Sequence, residues 1–416
     1  IPNSKSANMD DASTRRALLK AGLAAGLLGL AGRTRAGAWL DQGFDNGWRE
    51  LVPYPQKMPL MRITTRPVHL ETPFSQFDRG LITPNEAVFV RYHLAGHPLD
   101  IDPSSHTLTI DGKVKQPLTL TLADLQKRFE TVRQTVVMQC AGNGRGLSQP
   151  RVQGAQLGNG SMACVEMAGA RLADVLAAAG VLDGARQIAC RGTDQPALEQ
   201  TPAFIRSLDL ADARRPEAMI AWEMNGQPLP VLNGYPIRLV IPGFYAAYWI
   251  KHLSHIEVLD HVFDGWFASQ AYTVPDTPDN GVPPGTKPDK TARLTRMKAR
   301  SFITHPAHGD AIAAPDGRLA LRGIAFDGGS GIRRVDVSAD GGARWRQAEL
   351  GADAGRFAFR PWTLTLDDVK PGPLTLMARA TANDGQVQPL VQPWNPGGYA
   401  RDVVERVEIV VAETGR

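Results

Sequence analysis

Apolar and β-branched residues fall in short runs separated by turn residues over most of this chain, a pattern read as strands rather than long helices. Ala87-Val88-Phe89-Val90-Arg91 is one such run, and His106–Ile110, turning at Asp111-Gly112, is another. Val136-Val137-Met138-Gln139 leads into Cys140, and further runs lie at Gln187–Arg191 and Ile237–Ile241, with an Asn225-Gly226 hairpin signal between those two. Two stretches break the strand pattern. Leu118–Lys127 predicts a short helix entered through Thr121, and Leu172–Ala179 predicts one that stops at Gly180. Strands and helices mixed without strict alternation predict an α+β domain over residues 86–272. Five prolines between Thr273 and Lys298 then predict an extended linker, 273–298. From 299 to 416 the pattern is all β. Leu319–Ile324, Ile332–Val337, Leu374–Ala380 and Val404–Val411 are strands, and the turn at Asp340-Gly341-Gly342 is one of several at short intervals. About seven strands so spaced predict an immunoglobulin-like β-sandwich, with packing or association as its default role.

Residues 39–85, rich in proline and charge, read as an irregular arm, and residues 1–38 read as an export signal. Ser13-Thr14-Arg15-Arg16-Ala17-Leu18-Leu19-Lys20 precedes the apolar stretch Ala21–Ala31, and small residues come next at Ala36-Gly37-Ala38. The apolar stretch is too short to span a bilayer as a helix, so no membrane span is expected in the mature chain. Arg15-Arg16 in that position is the twin-arginine signature, which predicts export of an already folded protein and a periplasmic destination.

Composition narrows the remaining choices. The chain has 416 residues, 43% hydrophobic and 21% charged, which excludes disordered and membrane classes and predicts more than one domain. Its 41 glycines and 31 prolines imply many turns. Net charge is +4 with no long basic run, so nucleic acid is not an expected partner and small anions fit at least as well. Only Cys140, Cys164 and Cys190 are present, too few for a disulfide framework, and no Cys-x-x-Cys-His occurs to attach a c-type haem.

Chemistry concentrates in three segments. Cys140 ends a strand and is followed by Ala141-Gly142-Asn143-Gly144-Arg145, a turn flexible enough to place a thiolate as metal ligand or nucleophile. Arg91 and His93 lie two residues apart, on one side of a strand. Trp266–Tyr272 is an aromatic run before the linker. Arginine, histidine and tyrosine around a thiolate make a cationic pocket for a small oxyanion. Rival readings are weaker. Gly142-x-Gly144-x-Gly146 lacks the Rossmann spacing and its βαβ context. His252-x-x-His255 and His305-x-x-His308 lack the third and fourth ligands of a zinc site.

Phe89-Val90-Arg91-x-His93, Gln139-Cys140-Ala141-Gly142-Asn143, Glu223-Met224-Asn225-Gly226, Pro236-Ile237-Arg238 and Trp394-Asn395-Pro396-x-Gly398-Tyr399 together resemble the sulfite oxidase family of molybdenum enzymes, its exported bacterial dehydrogenases most of all. The resemblance runs in order over roughly residues 60 to 411. It implies a sulfite-oxidase-type molybdopterin domain followed by the sandwich, and one molybdenum with one molybdopterin, the metal held by Cys140 and the cofactor's two sulfurs. Arg91, His93, Arg145 and Tyr272 are the catalytic residues that the resemblance implies. Phe89, Arg91, His93, Asp194, Asn233, Arg238, Trp249, Ile250 and Lys251 are the cofactor contacts, with Asn233 standing where animal members carry histidine. The implied reaction is oxidation of sulfite to sulfate by oxygen-atom transfer, with electrons passed singly to a c-type cytochrome. Relatives of this fold also act on nitrate or sulfoxides. The family pairs with a cytochrome subunit as a heterodimer or associates through the β domain as a homodimer.

Overall fold

The computed structural model describes residues 38–42 and 46–413, so the expected export signal lies outside the described residues apart from Ala38. Among those residues no helix is long and apolar enough to cross a membrane.

The stretch read as an irregular arm is instead a five-stranded antiparallel sheet. Its strands, in order, are Trp39–Asp41, Trp48–Tyr54, Lys57–Thr64, His69–Glu71 and Val90–Arg91. Prolines do not prevent the order: Pro53 and Pro59 lie within strands. Pro55 opens the turn between two strands, and Gln56 takes a left-handed φ of 58° there. Val52, Leu60, Val68, Leu70, Val90 and Tyr92 close a small core of its own beneath this sheet.

Two further sheets build the central α+β region. One has the order Ile205–Asp209, Gln187–Gly192, Leu253–Leu259, Thr107–Gly112 and Leu118–Thr121, with the Leu253–Leu259 and Thr107–Gly112 strands parallel. The other runs Gln227–Pro228, Met219–Met224, Met162–Arg171 and Thr131–Gln139, with Arg238–Val240 added to Met219–Met224. Helix Leu122–Arg128 begins where Thr121 caps it: the Thr121 hydroxyl accepts from the Asp124 amide, and the Asp124 carboxylate accepts from the Thr121 amide. The expected helix start at Leu118 falls instead in a strand, because Leu118-Thr119-Leu120 alternates and pairs with Leu108–Ile110. Helix Leu172–Ala179 ends at Gly180, whose φ is 68°. At Asn225-Gly226 both residues take positive φ, 54° and 71°, as a tight hairpin between Met219–Met224 and Gln227–Pro228 requires.

The proline-rich stretch is less irregular than expected, since Thr273–Pro275 pairs with Thr291–Arg293. Beyond it a four-stranded and a five-stranded sheet enclose a shared core of Ile303, Leu321, Trp362, Val335, Leu376 and Ile409. This is a two-layer sandwich of nine strands, in which Ala311–Ala313 runs parallel to Arg406–Ala412.

The sandwich is pinned to the central region through apolar and polar contacts. Phe302, Ile324, Phe326, Phe357 and Phe359 join the main core. The Val137 amide on the Thr131–Gln139 strand donates to the Phe357 carbonyl at 2.7 Å. Buried Arg300 donates through Nη2 to Asn159 Oδ1 and Glu405 Oε1, each at 3.1 Å, and Arg401 closes on Glu405 at 2.8 Å.

Candidate active site

The Thr131–Gln139 strand carries the chain into the core and releases it at Cys140, which is buried with 8% of its surface exposed. The turn beyond the cysteine is held by its own backbone: Asn143 N donates to the Cys140 carbonyl at 3.0 Å, and Arg145 N to the Gly142 carbonyl at 2.9 Å. Gly144 has φ 85°, and a Cβ there would collide with the Arg401 side chain, so only glycine serves. A buried brace supports the loop from behind. Cys140 N donates to the Ser161 carbonyl and Ser161 N to Asn143 Oδ1, both at 2.9 Å. The Ser161 hydroxyl donates to Glu71 at 2.7 Å, and His69 Nε2 reaches that hydroxyl at 3.0 Å. Burial pushes the Glu71 carboxyl up, with the Ser161, Gly158 and Gln42 donors opposing.

Cys140 opens onto a cleft lined also by Phe89, Arg91, His93, Asp194, Asn233, Arg238, Trp249, Lys251 and Tyr272. Nine of the residues implied by the resemblance, besides Cys140, therefore meet in one cavity although they span residues 89 to 272. Two stand elsewhere. Ile250 is buried off the wall, its carbonyl accepting from Leu239 N at 2.8 Å. Arg145 lies one layer out, with Nε donating to the Gly397 carbonyl at 2.8 Å and its guanidinium 4.8 Å from the Tyr399 ring centroid. Arg91 and His93 share the cleft, but the strand that carries Arg91 ends there and His93 lies beyond it.

The sandwich takes part in this site, beyond the packing or association role expected of it. Tyr399 stacks on Tyr272 with centroids 5.2 Å apart, and Ala400 N donates to the Ala141 carbonyl at 3.1 Å. The sequence carries the signal in the Trp394–Tyr399 motif without showing the role. Tyr272 has φ 55°, a left-handed backbone rare for an aromatic residue, and its hydroxyl bonds His93 Nε2. The His93 ring stacks on Phe204 at 3.7 Å. Burial, then the charge of Arg91, Lys251 and Arg206, pushes His93 well below the usual imidazole range, so it is neutral at pH 7. Burial pushes the Tyr272 phenol up.

The cleft wall and its surroundings are cationic. Arg238 is fully buried and donates to the carbonyls of Asn233 at 2.7 Å and Trp249 at 3.1 Å, while its Nε has no partner. Lys251 donates to the Arg91 carbonyl and lies 4.2 Å from the Tyr92 ring centroid. Lys57, unforeseen from the sequence, reaches in from the N-terminal sheet to Asn233 Oδ1 and the Asn85 carbonyl, the latter at 2.6 Å. Burial lowers Lys57 and Lys251 to about 7 and Arg238 to about 10; Asp194, the one carboxylate on the wall, is pushed up by burial with Lys251 opposing.

Such crowding of cations around an unpartnered Arg238 Nε fits an anionic group, and a buried thiol beside it fits a soft metal. Small Ala141, Ala246 and Ala247 and the aromatic Phe89 and Trp249 also line the cleft. The donor set thus suits a molybdenum–pterin group carrying a phosphate.

The charge pattern has a measurable consequence. A lysine whose folded pKa is depressed binds fewer protons folded than unfolded between its two pKa values, so stability rises with pH there. The cofactor-free protein is expected to gain stability from about pH 7 toward 10, at up to about 1.4 kcal/mol per pH unit per lysine. Lys57→Met is expected to flatten that rise in denaturant melts of the cofactor-free protein, and an unchanged slope would contradict the assignment.

A strand ending in a buried thiol beside a cationic cleft is the arrangement of a molybdopterin oxidoreductase, and comparison with known proteins agrees. Residues 94–267 match the oxidoreductase molybdopterin binding domain, and residues 291–412 match the Mo-co oxidoreductase dimerisation domain. Mitochondrial sulfite oxidase of Mus musculus is 33% identical over 379 residues, covering 86% of this chain and 67% of the relative. A nitrate reductase [NADH] of Ulva prolifera is 30% identical over 307 residues, 68% of this chain and 34% of that one. The crystal structure of the sulfane dehydrogenase SoxCD from Paracoccus pantotrophus superposes with a TM-score of 0.70 at 26% identity, covering 88% of this chain and 90% of that chain. The chain belongs to the sulfite oxidase family.

Proposed function

We propose that this protein oxidises sulfite to sulfate in the periplasm and passes the electrons one at a time to a c-type cytochrome. The observation that carries the reading is the meeting of Cys140 with Arg91, His93 and Tyr272 in a cleft whose wall also holds Arg238 and Lys251. Sulfite and water give sulfate, two protons and two electrons. The molybdenum centre, when bound through Cys140, supplies oxygen-atom transfer to sulfur. Phe89, Asn233, Trp249, Arg238 and Lys251 would hold the pterin and its phosphate.

The chain's own residues then have distinct tasks. Arg91 faces the cleft and attracts the sulfite dianion; Arg145, anchored to Gly397, adds positive potential from the next layer. Neutral His93 shares a hydrogen bond with the Tyr272 hydroxyl, so the pair holds the phenol at the pocket, where it can hand on a proton released in the reaction. Tyr399 closes the outer side and limits water.

Export by the twin-arginine route is read from residues 1–38, and 86–272 is read as the catalytic unit, followed by the linker 273–298 and an immunoglobulin-like association domain at 299–416. We favour a cytochrome subunit as partner over a second copy of the chain. In this reading the electrons pass to that partner; the sequence contains no Cys-x-x-Cys-His of its own.

The test is sulfite-dependent reduction of ferricytochrome c by the molybdenum-loaded protein. Reduction supports the reading. Its absence in loaded protein, with turnover of nitrate or a sulfane donor, would replace the substrate and keep the site. Tyr272→Phe, which removes one hydroxyl from a strained and clamped residue, is expected to lower kcat about 10- to 100-fold with molybdenum content unchanged; an unaltered kcat would remove the hydroxyl's role.

A further inference from the structure

Arg206 has entered so far only as one of the charges that depress His93. It lies on the Ile205–Asp209 strand, is 2% exposed, and forms no ion pair among the described residues, where its charged neighbour is the like-charged Arg293. Its Nε has no hydrogen-bond partner, and its Nη1 donates to the Phe267 carbonyl of the Trp266–Ser269 helix. The guanidinium carbon is 4.3 Å from the Tyr248 ring centroid and 5.1 Å from that of Tyr272. A buried guanidinium without a carboxylate partner is costly to keep, even with its bonds to the Phe267 carbonyl and the Tyr248 side chain. Its charge and its planar fork therefore point to work at the rings that it touches.

Tyr272 is the ring that needs support. Its backbone is left-handed, with φ 55°, and it forms a wall of both the cleft and the outer pocket lined by Trp266, Trp394 and Tyr399. Tyr399 covers one part of the ring, His93 holds the hydroxyl, and Arg206 ties the ring to Tyr248 and to the helix that precedes it. We propose that Arg206 is the positioning residue for Tyr272: lodged between two tyrosine rings and fastened to the Phe267 carbonyl, it fixes the phenol against His93 and keeps a permanent positive charge behind the substrate pocket. The proposal rests on the sulfite reading for its kinetic part only.

The test uses the loaded full-length enzyme as wild type, Arg206→Met, Arg206→Lys, Tyr272→Ala and the combined Arg206→Met and Tyr272→Ala protein. Arg206→Met is expected to lower kcat/KM for sulfite about tenfold, and Arg206→Lys, which keeps the cation, less than about threefold. With Tyr272→Ala already present, adding Arg206→Met is expected to change kcat/KM less than about twofold, because the ring through which Arg206 acts is gone. A crystal structure of Arg206→Met is expected to show the phenol withdrawn from His93. An additive double-mutant cycle, or a phenol unmoved in that crystal, overturns the proposal. A wild-type enzyme inert to sulfite defeats the functional reading alone, and the crystal comparison then decides the role of Arg206. Should Arg206→Met not fold, Arg206→Gln, which keeps a donor for the Phe267 carbonyl without the charge, stands in under the same criteria.

Discussion

A Cys140→Ser protein is expected to fold and yet turn over sulfite at least about a thousandfold more slowly, a loss of about 4 kcal/mol of transition-state stabilisation. The reason is the mismatch between a hard hydroxyl, protonated at neutral pH, and a soft metal that a thiolate would hold. The fold should survive because Cys140 fills a small volume, and the loop is set by backbone bonds from Asn143, Arg145 and Ser161 rather than by the thiol. Placing a hydroxyl in a site this enclosed costs about 1 kcal/mol, a few degrees in melting temperature. Ferricytochrome c reduction, molybdenum analysis and a thermal melt on one preparation check all three statements. Turnover near the wild-type rate would end the metal-ligand assignment.

Arg238→Met is expected to have the second large effect, through cofactor retention. Arg238 is wholly enclosed, has an unpartnered Nε, and is lowered to about 10 by burial. In the cofactor-free protein the substitution removes a buried charge but leaves the Asn233 and Trp249 carbonyls without a donor; these opposing costs leave a net change below about 2 kcal/mol. In the loaded protein it removes a guanidinium from a phosphate, a charge-assisted contact of the strong kind. Purified Arg238→Met should therefore melt close to cofactor-free wild type and carry little pterin. Measuring pterin fluorescence after oxidation, beside the melting difference between loaded and empty forms, separates the two effects. A variant that keeps pterin at wild-type stoichiometry would show that the phosphate end lies elsewhere in the cleft.

Cys140 and Arg238 both stand out in the chain before folding is considered. Cys140 does so because an apolar strand ends on it and a glycine turn comes directly after. Arg238 does so through the resemblance of Pro236-Ile237-Arg238. Lys57 and Arg206 do not. Lys57 sits in a stretch whose prolines and charges suggest no order, and the pairing of Lys57–Thr64 with two neighbouring strands is what delivers it to Asn233. Arg206 is one arginine among many, and only its burial without a carboxylate distinguishes it. Tyr399 is visible as part of a motif, but its domain reads as packing because nothing local says that a loop of the sandwich reaches across to Tyr272.

The sequence by itself determined the elements whose cause is local. The capped helix at Thr121, the glycine stop at Gly180, the Asn225-Gly226 turn and the all-β pattern after residue 299 each depend on a few adjacent side chains. It also determined the family, because several short motifs occur in a fixed order. Tertiary structure alone decided which cations share a cavity, which of them lack a counter-charge, and how Tyr272 is held. Those are properties of residues far apart in the chain, and they arise when burial removes the water that would otherwise screen each charge and solvate each orphaned donor.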